Sequence, residues 1–311
     1  MRALARTLDH FFLLRPILFF PAWTSFLAGI WGGRYFGHDN ALLPRTVSFA
    51  GMMVVLTVIM GCVYVLNQIM DVATDRANEK QFLIANFTIS VKHATVQAVV
   101  MGVGGLGAAF FMDFHYGIGF SLLILIAGIL YNFPPASWKN HAWPGLLTNG
   151  LGGMIIYILG WTTAASYTRM LWHAFAYTLA FMAVTLFTTI PDLAGDKKTG
   201  KNTFGVRYGI HKTAVLALIL ETASLAMACI VKDRLLLFPA LIAFPFFVVA
   251  ALRKDISNVV RATKISVAAL ALAVCVVFPW YAVLLLVVFL LTRIYYKKRF
   301  HFSYPNFSGS S

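Results

Sequence analysis

Apolar runs long enough to cross a bilayer recur from one end of the chain to the other, and they restrict its fold more than any other feature. In hydrocarbon every backbone N–H and C=O must be satisfied internally, so a run of about 20 apolar residues spans as a helix. Such runs lie near residues 11–32, 46–70, 91–112, 116–133, 144–165, 171–190, 214–231, 235–252 and 265–291. The last is long enough to tilt, or to kink at Pro279. The spacing predicts an all-α, polytopic membrane bundle of about nine transmembrane helices, with eight or ten also compatible. It is expected to form one domain over 1–311, with a short disordered tail at 304–311. With 60% hydrophobic and 12% charged residues, a water-soluble domain of this length has too little polar surface to cover itself.

The formal net charge is +14, yet lysine and arginine sit almost wholly between or beside the apolar runs. That distribution points to membrane lipids and an anionic substrate as partners rather than nucleic acid. With the N-terminus in the cytoplasm, most of the 25 basic residues fall on the cytoplasmic side, in line with the positive-inside rule. The basic run at 293–299 opposes this count, because nine spans leave it outside, whereas a tenth crossing returns it. Arg2 and Arg6 precede the first run and no small-residue cleavage pattern follows, so neither a signal peptide nor a transit peptide is expected. The expected location is a prokaryotic cytoplasmic membrane. Cys62, Cys229 and Cys275 fall in apolar runs without ligand spacing and read as small core residues. The glycines of 102–107 match GxGxxG but lie inside a span with no preceding strand, which favours close helix packing over dinucleotide binding.

The chemistry is carried by two acidic motifs. Asn67, Asp71 and Asp75 close the second run at a spacing that puts all three on one helix face. Asp192 and Asp196 follow the sixth run, each at the same separation from its counterpart in the first motif. Read as helix C-termini, both pairs oppose the negative end of a helix dipole at a cost of roughly 0.3 to 1 kcal/mol, which solvated helix ends do not explain. If the two helices are neighbours, four carboxylates converge, and unit charges about 6 Å apart repel by roughly 3 kcal/mol at an effective dielectric of about 20. Such a cluster needs cations. Oxygen ligands without histidine or cysteine favour Mg²⁺, held by one or two carboxylates with substrate phosphate completing its shell. Both motifs follow even-numbered spans, so the site is expected to face the cytoplasm.

Other residues near the same membrane edge are candidates to complete the site. Arg15 precedes Pro16 at the start of the first run; Tyr131 ends the fourth run, and Lys139 follows it. Positive-inside anchoring and snorkelling are the alternatives for Arg15 and Lys139. Lys197, Lys198 and Lys201 flank the second motif, and Arg76 and Lys80 the first, some of them as solvated loop charges. Asn149 is an intramembrane amide that needs a partner, either across helices or on a substrate.

With both motifs in place, the chain resembles the UbiA-type intramembrane prenyltransferases over nearly its whole length from Arg15 onward. The first motif, with Gln68 after Asn67 and with Asn78 beyond Asp75, is similar to the version in homogentisate prenyltransferases and chlorophyll synthase. The second, with Pro191, Asp192, Gly195, Asp196, Lys197, Gly200, Phe204 and Arg207, resembles the homogentisate branch. The resemblance implies a helical bundle around a central cavity. It also implies Mg²⁺ and diphosphate binding by Asn67, Asp71, Asp75, Asp192 and Asp196, with Arg15, Tyr131 and Lys139 around the diphosphate and prenyl entrance. Thr188 and Thr189 stand where homogentisate enzymes tend to carry Lys-Asp, and the loop at 82–87 lacks their usual Pro and Gly. Those departures bear on the acceptor more than on the chemistry.

The expected function is therefore Mg²⁺-dependent transfer of a polyprenyl or phytyl-type group from its diphosphate to an aromatic or otherwise electron-rich lipophilic acceptor. Asp71, Asp75, Asp192, Asp196, Lys139 and Tyr131 would carry catalysis, while Arg15, Asn67, Asn149 and Lys197 bind substrate. A cation-coupled transporter is the rival from another class, and it favours acids near mid-bilayer. A lipid-binding scaffold without turnover is a second.

Overall fold

The computed structural model describes residues 2–37, 49–77, 83–165, 169–301 and 304. The start of the second run, Lys80, Asn78, Phe82 and all of the tail except Tyr304 lie outside the described residues. The chain is helical: α1 (Arg2–Phe12), α2 (Phe19–Phe36), α3 (Phe49–Ala77), α4 (Val91–Met112), α5 (Phe114–Leu123), α6 (Ala142–Thr162), α7 (Met170–Thr188), α8 (Leu193–Lys198), α9 (Phe204–Ile230), α10 (Arg234–Arg253), α11 (Ile256–Val277) and α12 (Pro279–Phe300). α5 continues as a π-helical stretch, Ile124–Leu130. Among the described residues nine helices are long and apolar enough to span a membrane, and Phe114–Leu130 is a shorter apolar helix.

Three runs differ in detail from the sequence reading. The first is interrupted where Arg15 takes a left-handed conformation (φ 53°) ahead of Pro16, which opens a short turn into α2. Proline disfavours the helical conformation of the residue before it, so α1 cannot run on into α2. The fourth run supplies the shorter helix. The last run is two helices: Phe278 leaves helical geometry (φ −130°, ψ 78°) and Pro279, lacking an N–H, opens α12.

α12 runs back along the bundle. Trp280 packs on Phe49 at the start of α3, with ring centroids 5.6 Å apart, whereas Tyr295 stacks on Phe12 of α1 at 3.8 Å. Asp9 accepts a hydrogen bond from the Tyr295 hydroxyl at 2.7 Å and pairs with Arg299 at 3.1 Å. The basic run 293–299 therefore returns to the end of the bundle that carries α1, by a separate helix rather than one long tilted span.

Small residues let helices approach closely where hydrophobic attraction cannot drive them together. A Cβ on Gly29 would collide with the Tyr157 carbonyl oxygen, and one on Gly160 with that of Phe26, so α2 and α6 touch backbone to backbone. In the GxGxxG stretch of α4, Gly102 and Gly105 face Cys62 and Ile59 of α3, and Gly104 meets nothing. Cys62 is buried, but Cys229 is exposed near the end of α9, which corrects its reading as a core residue.

Candidate active site

The last turns of α3 carry the first motif to the wall of a cavity of about 490 Å³. Asn67 Nδ2 donates to Asn132 Oδ1 at 2.9 Å, and Asn132 in turn donates to the Gly128 carbonyl in the π-helical stretch at 2.9 Å. Gln68 is turned away from the cavity. It is buried, and its Nε2 donates to the Leu13 carbonyl at 2.8 Å, while Tyr64 donates to Leu18 at 2.7 Å. These two bonds hold the turn that presents Arg15 to the same cavity.

The second motif is built differently from the first. α7 ends at Thr188, a turn follows through Pro191, and Asp192 occupies the N-cap position of the separate helix α8, with Asp196 in its first turn. Pro191 cannot donate a helical hydrogen bond and its ring clashes with the preceding turn, so α7 does not continue as α3 does. The expectation that both acid pairs sit at helix C-termini is corrected. Asp192 and Asp196 lie at the favourable, positive end of a helix dipole, and only Asp71 and Asp75 oppose one. α8 packs against α3, bringing the two motifs to one cavity.

Two lysines reach into that cavity on short loops. Lys139 sits in the turn Trp138–Asn140, and its Nζ lies 2.9 Å from Asp71 Oδ1. Lys201 Nζ lies 2.8 Å from the same oxygen and 4.0 Å from Asp196 Oδ1. Asp196 also accepts from the Thr203 hydroxyl at 3.1 Å. Burial pushes the Lys139 ammonium below its ordinary pKa, and the Asp71 carboxylate beside it works in the opposite direction. Tyr131 and Asn149 line the wall next to one another, and Asn149 donates to the Gly145 carbonyl one turn back at 2.9 Å.

Of the residues singled out from sequence, Arg15, Asn67, Asp71, Asp75, Tyr131, Lys139, Asn149, Asp192 and Asp196 line this one cavity. Lys197 is not brought to it. It is exposed on α8, four residues before the lysine that does enter, which lies past the end of that helix. Lys201 reads from sequence as one of the flanking loop charges, and nothing in its spacing sets it apart. Arg76 also turns away, donating to the Ala85 carbonyl at 3.0 Å and lying 4.1 Å from the Phe87 ring centroid.

The candidate ligands suit Mg²⁺ in kind, being carboxylate and amide oxygens, and His141 is the one imidazole among the described residues that line the cavity. Among the described residues, however, no three acidic or other metal-binding side chains converge as a ready-made ligand group. That arrangement fits an ion that takes one or two carboxylates and fills its shell with water and phosphate. It does not fit an all-protein cage.

Residues 22–261 match the model of the UbiA prenyltransferase family. The chain belongs to that family. Relatives of this UbiA-family chain include a chloroplastic 2-acylphloroglucinol 4-prenyltransferase of Humulus lupulus, 24% identical over 59% of this chain and 47% of the relative. A homogentisate phytyltransferase of Synechocystis is 28% identical over 56% of this chain and 60% of its own length. The chain thus spans about half the length of these curated relatives. Among solved structures, a UbiA homolog from Archaeoglobus fulgidus bound to DMAPP and Mg²⁺ superposes with a TM-score of 0.60 at 16% identity, covering 86% of this chain and 99% of the other. That likeness establishes a shared fold.

Proposed function

We propose that this UbiA-family protein is a Mg²⁺-dependent prenyltransferase that ionises a prenyl diphosphate and attaches the chain to an aromatic or otherwise electron-rich lipophilic acceptor. The observation that carries the reading is the meeting of both acidic motifs with Arg15, Lys139 and Lys201 at one cavity whose remaining wall mixes apolar side chains with uncharged hydroxyls. The prenyl diphosphates and aromatic acceptors in the descriptions of its relatives support the same reading.

Asn67, Asp71, Asp75, Asp192 and Asp196 would hold the metal and diphosphate together, with one or two of the carboxylates on the ion itself, and the metal would supply neutralisation of the charge that grows on the leaving diphosphate. Lys139, Lys201 and Arg15 bind diphosphate oxygens and stabilise the same charge, which is larger in the transition state than in the ground state. Tyr131 lends a π face to the allylic cation, held near Asn149. Phe181, Val184 and Leu270 exclude water, so that the cation meets the acceptor rather than hydroxide. The acceptor carbon forms its bond to the prenyl carbon and then loses a proton to the released diphosphate or solvent. We assign the site to the cytoplasmic side, on which most basic loops fall.

The acids sit in the last turns of α3 and beyond the end of α7, away from mid-bilayer, which disfavours a cation-coupled transporter. Incubation with labelled geranyl diphosphate, Mg²⁺ and a panel of phenolic acceptors should yield a labelled, Mg²⁺-dependent lipophilic product. Cation flux in liposomes without any such product would reverse the choice.

A further inference from the structure

The part of the cavity wall supplied by α7 and α11 has a different character from the charged end. Thr185 and Thr188 of α7, Thr189 just after it, and Thr263 and Ser266 of α11 all line the cavity. Among the described residues, neither helix contributes a charged side chain to this wall. The threonine protons are already committed. Thr185 donates to the Phe181 carbonyl at 2.8 Å, Thr188 to Thr185 at 2.7 Å, Thr189 to Leu186 at 2.8 Å and Thr263 to Val259 at 3.0 Å. A hydroxyl whose proton is engaged can still accept hydrogen bonds through its lone pairs, but it has no donor to offer.

A wall of this kind has a definite preference. A prenyl chain carries no polar atoms for it to meet, so the hydroxyls face the other substrate. Phenol or alcohol O–H groups can donate to them. A carboxylate would meet four threonine oxygens that can only accept, with Ser266 the one of these five hydroxyls whose proton is uncommitted among the described residues. The cavity's cations, Arg15, Lys139 and Lys201, come from other elements, at the end assigned to the diphosphate.

We propose that the acceptor is a neutral molecule bearing hydroxyl donors, held against the threonine wall of α7 and α11, and not a ring carrying a carboxylate. This rests on the prenyltransferase reading above and names the substrate class of the same site.

The test uses the full-length protein in nanodiscs with geranyl diphosphate, Mg²⁺ and two matched probes. These are orcinol, a neutral dihydroxybenzene, and orsellinic acid, the same ring with a carboxylate. The expected result is a kcat/KM for orcinol at least about tenfold above that for orsellinic acid, the scale of one lost or mismatched hydrogen bond. Thr185→Val and Thr263→Val should each raise the orcinol KM by about 3- to 10-fold while leaving the KM for geranyl diphosphate unchanged, and Thr185→Ser should restore it. Preference for orsellinic acid, or Val variants with unaltered orcinol KM, would overturn the proposal. Equilibrium dialysis of both rings against the wild type and the Val variants reads the wall without turnover, and binding of neither ring, or equal binding of orcinol by all variants, also overturns it. Failure to retain labelled geranyl diphosphate would instead sink the prenyltransferase reading, leaving the dialysis result to stand by itself.

Discussion

Lys139 and Lys201 bring their ammonium groups to the same oxygen of Asp71, at 2.9 and 2.8 Å. Their two loops are joined by backbone: Asn202 N–H donates to the Asn140 carbonyl at 2.8 Å, and His141 and Asn202 form an isolated parallel bridge. Each lysine immediately precedes a residue of that junction, so the bridge sets both in register with Asp71. The Asp71 side chain is 15% exposed and the lysines 7% and 14%, which keeps solvent from screening the pair of contacts.

Replacing either lysine with methionine keeps the apolar stem and removes the charge. Lys139→Met and Lys201→Met should each lower kcat/KM for a prenyl diphosphate by roughly 10- to 100-fold, the worth of one charge-assisted hydrogen bond. Lys197→Met, on the exposed face of α8, should stay within about twofold of wild type. Steady-state kinetics with one diphosphate distinguish the three, and equal losses at 197 and 201 would remove Lys201 from the site.

The two motifs should act as a unit. Asp71→Asn and Asp192→Asn keep the side-chain shape but remove an anionic ligand, so each should abolish most activity while the protein stays folded in detergent. Because both disable one metal and diphosphate assembly, the double variant should be little worse than the weaker single. Losses that multiply, or wild-type turnover surviving complete chelation, would contradict a shared site. A Mg²⁺ titration should show a higher midpoint in any variant that retains activity.

Backbone contact between α2 and α6 makes a specific demand on packing. Gly160→Ala places a methyl against the Phe26 carbonyl, and the cost should be at least the roughly 1 to 3 kcal/mol of an overpacked core. Gly104→Ala, whose Cβ meets nothing, should leave stability unchanged. Apparent Tm in detergent, followed by size-exclusion fluorescence, compares them, and equal values would refute the close α2–α6 contact.

The return of α12 can be read by labelling. In a background with Cys62, Cys229 and Cys275 replaced by alanine, Lys198→Cys and Lys297→Cys should react with an impermeant maleimide from the same side of sealed vesicles. Labelling from opposite sides would exclude the return of α12 to the end that carries α1.

The sequence alone determined the all-α membrane architecture, because hydrocarbon leaves a long apolar run no other way to satisfy its backbone. It also singled out most of the charged side chains of the cavity, since Asn67, Asp71 and Asp75 share a helix face by spacing and acids are rare enough in such a chain to stand out. What it could not decide was which basic residue turns inward. Lys197 and Lys201 lie four residues apart on the same polar stretch, and the choice between them depends on the bridge between Asn202 and Asn140, a contact across more than sixty residues of chain. Tertiary structure likewise decided that Asp192 begins a helix rather than ends one, although Pro191 was there to signal it, and that the chain reverses at Phe278. At Phe278 the apolar pattern runs on unbroken, because lipid and helix neighbours look alike to it, and at Asp192 the polar stretch that follows reads equally as a helix end or a helix start. Only the packing of α8 on α3, and of Tyr295 on Phe12, distinguishes a continuing helix from a new one.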